Sequence, residues 1–481
     1  MDGFGLFDSS SGSDSDSDNE PAYSALPIPP PTALEFDAAY EHVHRVVHGH
    51  LEPLCTALSD RGEDAACAAY GEAYAALARH DSGGCIEIAT PLAASAWDRL
   101  QTFAKRLSGS TPDGASSATG DGDEDEDERL IWRDLYIISQ DMVALCSLEP
   151  RSVTDESARA ALAATDRAFM LGGAVSLTQQ LAALAAKSLP ALDAVQSAPS
   201  VDSVESAAAK SAAAGTLIPT CDAALSADAP AIARCAAPPL SVKDFEAHYF
   251  LLKLPVVLEG ATAAWSAASR VSGWRDVECF RRAFGHRTVP IEIGRHHEDS
   301  SWNEELVTIG EFVERYLIPS NARGVVPLEL DHAQLREVGY LAQHALFDQL
   351  PGLREDYIVP PYCAALGELS NINAWIGTGG TVSPLHYDTY DNFLTQVAGT
   401  KYVRLYAEAE SSKLYPGGGE ESQGNISRVD VERPDGDAFP LFQGALYTET
   451  YLKEGDALFI PKGTWHYVRS LTTSISVNFW F

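Results

Sequence analysis

Near Pro238 the chain changes texture, and that change constrains its fold more than any other feature. Before it, Ala-rich stretches such as residues 65–79 carry apolar positions at helical spacing, with high helix propensity. After it come short β-branched and aromatic runs separated by Gly and Pro, at 254–258, 288–293, 371–376, 392–397, 401–406, 457–460 and 474–481. Closely spaced short strands predict an antiparallel barrel or double-sheet jelly roll. Ala398-Gly399-Thr400 predicts a three-residue hairpin loop between two of them. Helices are expected around the barrel at 261–284, 309–316 and 340–349. The fold class is therefore an α-helical N-terminal domain followed by a mainly β C-terminal half.

The 481 residues divide accordingly. Residues 1–34 are a Ser/Asp tract with Pro27, Pro29, Pro30 and Pro31, expected to be a disordered acidic tail. Residues 35–195 read as a helical domain interrupted by an acidic Ser/Gly/Asp loop at 108–128. Residues 196–237 are Ala/Ser/Pro-rich and suit a linker, which leaves 238–481 as the β-rich domain.

Against 34 Lys and Arg stand 68 Asp and Glu, a net charge of −34. That balance argues against direct nucleic-acid binding, which calls for a basic surface. It leaves room for a basic protein or peptide partner. The excess is uneven: residues 1–20 hold six acids without a Lys or Arg, and 113–128 hold eight more. Such runs read as solvated, self-repelling segments. From Ser241 onward the net is only −12.

The eight cysteines are scattered, with no C-x-x-C pair, as in a reduced intracellular protein of the nucleus or cytoplasm. The N-terminus shows no basic-then-apolar signal pattern. The longest uncharged run tested as a membrane span, 168–186, contains two Gly and several Ser, Thr and Gln. It is expected to be an ordinary helix, with no membrane association.

Chemistry concentrates in His386-Tyr387-Asp388 and the distant His466. Residues i and i+2 of a strand share one face, so His386 and Asp388 offer an imidazole and a carboxylate to a single ion. A second imidazole completes two histidines and one carboxylate, a set with open positions that suits Fe(II) and O2 chemistry. Asn392 has the same parity and is expected on that face if the strand continues. Lys401 starts the next strand, and an inward ammonium there calls for an anion. Phe459 to His466 reads as a strand entering a Pro/Gly turn that swings His466 toward the metal.

These segments, together with Asn373-Ala374-Trp375-Ile376-Gly377, Ser383-Pro384-Leu385, Lys401 to Tyr406 and Trp465 to Arg469, resemble the Jumonji-C (JmjC) domain. The resemblance covers about 238–481, with several separated motifs in family order. It implies a cupin-like double-stranded β-helix that binds Fe(II) through His386, Asp388 and His466. It implies 2-oxoglutarate as co-substrate with O2, its distal carboxylate met by Lys401 and assisted by Tyr340, Ser383 and Asn392. It also implies a substrate cleft lined by Glu292, Gln343, Trp375 and Trp480. In the final strand Trp480 shares a face with Ser476 and Asn478, as a cavity-lining aromatic would.

Three functions compete. The first is arginyl C3-hydroxylation of a basic protein substrate; the second is histone N-methyl-lysine demethylation by the same site. The third is a non-catalytic helical and acidic scaffold, which the presence of all three metal-type residues and Lys401 disfavours.

Overall fold

The computed structural model describes residues 33–107, 122–148, 153–172, 175–189, 215–219, 221, 230–236, 240–263, 265, 274–294, 303–328, 330, 335, 338–417 and 424–481. Of the expected tail at 1–34, residues 1–32 lie outside them, as does most of the acidic loop expected at 108–128.

The N-terminal domain is an array of helices: α1 (Ala33–Asp60), α2 (Asp64–Ala78), α3 (Ser82–Leu107), α4 (Gly122–Ser147), α5 (Asp155–Met170) and α6 (Val175–Ser188). Apolar residues at i, i+4 spacing face one interior, including Val43 and Val47 of α1 and Leu77, Trp132, Leu135, Leu162 and Leu181 of its neighbours. Thr154 starts α5 with a capping box shared with Ser157. Helix α4 begins at Gly122, within the range 108–128 read as a loop. Carboxylates suit the positive end of a helix dipole, and high acidity alone does not prevent a helix from starting there.

No helix among the described residues is long and apolar enough to cross a membrane. The uncharged run 168–186 is divided between α5 and α6.

The C-terminal half contains β1 (Ala233–Cys235), β2 (Val256–Leu258), β3 (Thr288–Ile293), β4 (Asn303–Thr308), β5 (Gly339–His344), β6 (Asn371–Gly377) and β7 (Val382–His386). It continues with β8 (Asn392–Ala398), β9 (Lys401–Tyr406), β10 (Tyr447–Leu452), β11 (Ala457–Ile460), β12 (Trp465–Ser470) and β13 (Ser474–Trp480). A nine-stranded sheet runs β1-β2-β11-β8-β13-β6-β5-β3-β4, and a four-stranded sheet runs β10-β9-β12-β7. Residues of both sheets meet in one cluster, with Leu394 and Leu458 of the larger against Val403 and Val468 of the smaller. Phe393, Val477 and Phe479 point the other way, into a second core shared with helices such as Val277–Phe284.

Gly399 makes the expected hairpin between β8 and β9, with φ of 78°. A Cβ there would meet the Thr473 carbonyl at 2.1 Å, so only glycine fits.

Two expectations need correction. Residues 340–344, read as the start of a helix, belong to β5; pairing with β3 and β6 overrides the local propensity of the Leu-Ala run, and the helix begins only at Leu346. The segment read as a linker also joins the β-rich domain. Leu217 bridges Asp276, Ile218 is fully buried, and β1 adds to the sheet edge parallel to β2. A few apolar residues amid Ala, Ser and Pro suffice to dock it.

Candidate active site

Strands β7 and β12 are neighbours, and their register sets His386 opposite His466, with ring centres 4.1 Å apart. Strand β7 ends at His386, so Asp388 lies just past it in the following loop rather than on the same strand. Among the contacts that hold that loop in place, the Gly463 amide donates to the Asp388 carbonyl (3.0 Å) and the Lys462 amide to Asp391 Oδ1 (3.0 Å). Gly463 turns the chain at φ 80° immediately before His466, as the Pro/Gly signal suggested.

The ligand-type atoms of His386, Asp388 and His466 all lie within 4.8 Å of one another. Asp388 is 3.8 Å from His386 Nε2 and 3.7 Å from His466 Nε2, too far for hydrogen bonds but suited to a shared ion. The Nδ1 atoms sit 2.7 Å from the Pro384 carbonyl and 3.0 Å from the Thr464 carbonyl. A carbonyl only accepts, so each Nδ1 carries a proton, and Nε2 is the atom that each ring turns to the Asp388 side as a candidate ligand. Two imidazoles and one carboxylate, so oriented, fit an Fe(II)-type ion.

The three residues open into a cavity of about 420 Å³. Lys401 reaches it from the start of β9 and is 1% exposed. Burial pulls its pKa down to about 7, and no carboxylate among the described residues offsets the cost. Tyr340 on β5 and Ser383 on β7 both line the cavity, and burial holds the Tyr340 phenol well above the ordinary value. Asn392 contributes its amide from β8, which belongs to the larger sheet. It therefore lines the cavity from the opposite sheet to His386 instead of continuing the same strand, because the chain turns at 387–391. A buried cation among hydroxyls and an amide fits a small carboxylate ligand.

On the remaining side, Glu292 of β3 lies opposite Tyr340, and Trp375 of β6 donates from Nε1 to Asn478 Oδ1 at 2.8 Å. Trp480 stacks on Tyr390 with ring centres 5.5 Å apart and planes at 15°. Gln343 is exposed, with φ of 46°, where the β5–β6 register slips between Leu341 and His344. A left-handed non-glycine residue costs on the order of 1–3 kcal/mol and persists only where its surroundings impose it. Every residue singled out from the sequence lines this one cavity.

Residues 242–481 match the family model described as a cupin-like domain. The chain belongs to the cupin-like JmjC family. It is 44% identical over 245 residues to "Lysine-specific demethylase 8" of Xenopus tropicalis, covering 50% of this chain and 51% of that protein. It is 40% identical over 243 residues to "Lysine-specific demethylase JMJ30" of Arabidopsis thaliana, covering 50% and 53%. It is 36% identical over 245 residues to "Jumonji C domain-containing protein 5" of Drosophila melanogaster, covering 50% and 58%. The chain thus matches only about half the length of these curated relatives.

Within this JmjC domain the sequence reading missed Asn478, Tyr390 and Asn425 as cavity residues. The signal for Asn478 is its parity, since it shares one face of β13 with Ser476 and Trp480. Its amide links Trp375 to Asn392, donating to Asn392 Oδ1 at 3.5 Å. Asn425 lies beyond a Gly/Glu-rich loop and is anchored by donating to the Tyr387 carbonyl at 3.0 Å. No local pattern announces that contact.

Proposed function

We propose that this chain is an Fe(II)- and 2-oxoglutarate-dependent oxygenase that hydroxylates an arginine side chain of a basic protein substrate. The observation that carries the oxygenase reading is Lys401, a buried ammonium without a carboxylate partner among the described residues, in the same cavity as the His386–Asp388–His466 cluster. His386, Asp388 and His466 would hold the iron. Lys401, Tyr340, Ser383 and Asn392 would hold 2-oxoglutarate. Bound there, the two supply O2-dependent oxidation of a C–H bond, with 2-oxoglutarate converted to succinate and carbon dioxide.

The protein's own work is placement. The Pro384 and Thr464 carbonyls keep both imidazoles in one tautomer and orientation. Lys401 orients an anion by charge, and the enclosing strands limit water around it. Glu292 supports arginine as the target. A guanidinium stays protonated and needs a carboxylate in a confined site, and its planar fork can pair bidentately. Trp375 and Trp480 suit the flanks of the side chain or its cationic plane.

The demethylase reading is favoured by a different observation, the names of two relatives described as lysine-specific demethylases. The same aromatics would serve a methylammonium. Both readings suit an intracellular location, nuclear or cytoplasmic, as do eight cysteines without a disulfide.

Matched arginine and methyl-lysine peptides incubated with Fe(II), 2-oxoglutarate and O2 decide between them by mass spectrometry. The expected result is one added oxygen on the arginine peptide, lost in Glu292→Ala. Preferential loss of methyl from lysine, with formaldehyde released, would establish the demethylase instead.

A further inference from the structure

We infer that the helical domain sets the substrate side of the cavity through a buried polar relay, in which Asp166 and Gln349 are positioning residues. The consequence for substrate rests on the oxygenase reading above; the relay is a property of the fold.

The relay starts at Asp166 on α5, whose side chain is 0% exposed. Its carboxylate accepts from Arg287 Nε at 2.9 Å, Arg287 Nη2 at 2.5 Å and the Thr288 amide at 2.7 Å. A buried carboxylate is tolerated only when its charge and lone pairs are met in this way, so α5 is pinned to the first residue of β3. Arg287 Nη2 also donates to the Gln349 carbonyl at 3.1 Å.

Gln349 carries the connection onward. Its Nε2 donates to the Thr288 carbonyl at 2.8 Å, and its Oε1 lies 2.7 Å from His344 Nε2. An amide oxygen only accepts, so His344 donates through Nε2; burial holds this imidazole toward its neutral form. Phe169, also on α5, meets the His344 ring edge-on with centres 6.4 Å apart. The helical domain therefore reaches His344 twice, through Phe169 and through Gln349.

His344 is the residue after Gln343, the exposed position at φ 46° on the cavity wall. Where register slips, the strand itself does not impose that conformation, so the next residue must be held from outside. His344 pairs with Ala374, the neighbour of Trp375. Thr288, at the other branch, opens the strand that carries Glu292. Glu292, Gln343 and Trp375 thus stand on strands fastened to α5 by one hydrogen-bonded unit, as does Tyr340, whereas His386, His466 and Lys401 lie on strands outside it and Asp388 in the loop after β7.

The test uses the full chain and two variants. Asp166→Asn weakens the docking contact; Gln349→Leu leaves Asp166, Arg287 and Thr288 in place and cuts only the branch to His344. Hydrogen exchange followed by mass spectrometry should show faster exchange over 339–344 in both variants, with β7 and β12 unchanged. With an arginine peptide, the peptide KM should rise at least about tenfold while uncoupled 2-oxoglutarate consumption keeps its rate; because Tyr340 shares β5, the KM for 2-oxoglutarate should rise too, by less than about threefold. Wild-type exchange over 339–344 in Gln349→Leu would overturn the relay. So would equal losses in peptide turnover and uncoupled consumption, which mark a general structural role. Should Asp166→Asn not fold, Gln349→Leu decides alone. If the unmodified chain consumes no 2-oxoglutarate, the oxygenase reading fails, and the exchange result still decides the relay.

Discussion

Lys401 Nζ lies 5.6 Å from the centre of the Tyr340 ring, and no carboxylate among the described residues pairs with it. A cation–π contact offsets only part of the cost of burying an ammonium. The pair is therefore arranged for an anion that arrives from outside.

Replacing Lys401 by Met should separate stability from binding. Burial lowers the folded-state pKa to about 7, below that of the unfolded chain near 10.4. The unfolded chain holds more protons between those values, so stability rises with pH across that window and the full cost is present below about pH 7. Without ligand, Lys401→Met should melt higher than the unmodified protein at pH 6.5, with the gap narrowing toward pH 10. Its affinity for 2-oxoglutarate, measured by calorimetry, should fall by about 3–5 kcal/mol. An unchanged affinity would place the carboxylate elsewhere.

Metal binding should depend on Asp388 without the fold depending on it. Under anaerobic conditions, Fe(II) at 100 times its dissociation constant should stabilise the unmodified protein by about 2.7 kcal/mol. Asp388→Ala should show no such shift and should form no succinate, with an unaltered circular dichroism spectrum. Chelation should return the unmodified protein to its metal-free melting point. Succinate formation by Asp388→Ala would remove this carboxylate from the metal site.

Asp141 offers a test in the helical domain. Its Oδ1 is buried without a hydrogen-bond partner, and burial pushes its pKa up to about 8. The folded-state value exceeds the unfolded one near 3.9, so the associated stability is fully present below about pH 4 and is lost as pH rises toward 8. Asp141→Asn should therefore raise the melting temperature more at pH 8.5 than at pH 5.5. A gain independent of pH would mean that the carboxyl is not the source.

The boundary of the JmjC domain can be tested by truncation. Chains starting at Gly215 or at Pro238 both keep every proposed iron and 2-oxoglutarate residue and are expected to consume 2-oxoglutarate without peptide. Only the first retains Ile218 and Ile232, which are 0% and 4% exposed. Burying such a side chain contributes about 1.5–3 kcal/mol, so the longer chain should resist urea better by several kcal/mol. Equal midpoints would mean that residues 215–236 contribute no stability.

Sequence alone was enough for the two-part architecture, because helical and strand periodicities are local and the change near Pro238 separates them. It also exposed the metal-type residues: His386 and Asp388 are two apart, and His466 follows a Pro/Gly turn whose purpose is legible from its composition. Lys401 followed from its place just after the Gly399 hairpin. Tertiary structure decided the rest. Residues 339–344 are a strand only because β3 and β6 flank them, an arrangement that no local propensity encodes. Asn392 joins the cavity from the opposite sheet because the chain turns at 387–391. Asp166 and Gln349, 183 residues apart, look like ordinary polar positions until folding buries both. Periodicity records which face of an element is buried; which polar groups then meet across elements is set by packing, where an unsatisfied buried donor or acceptor is too costly to leave.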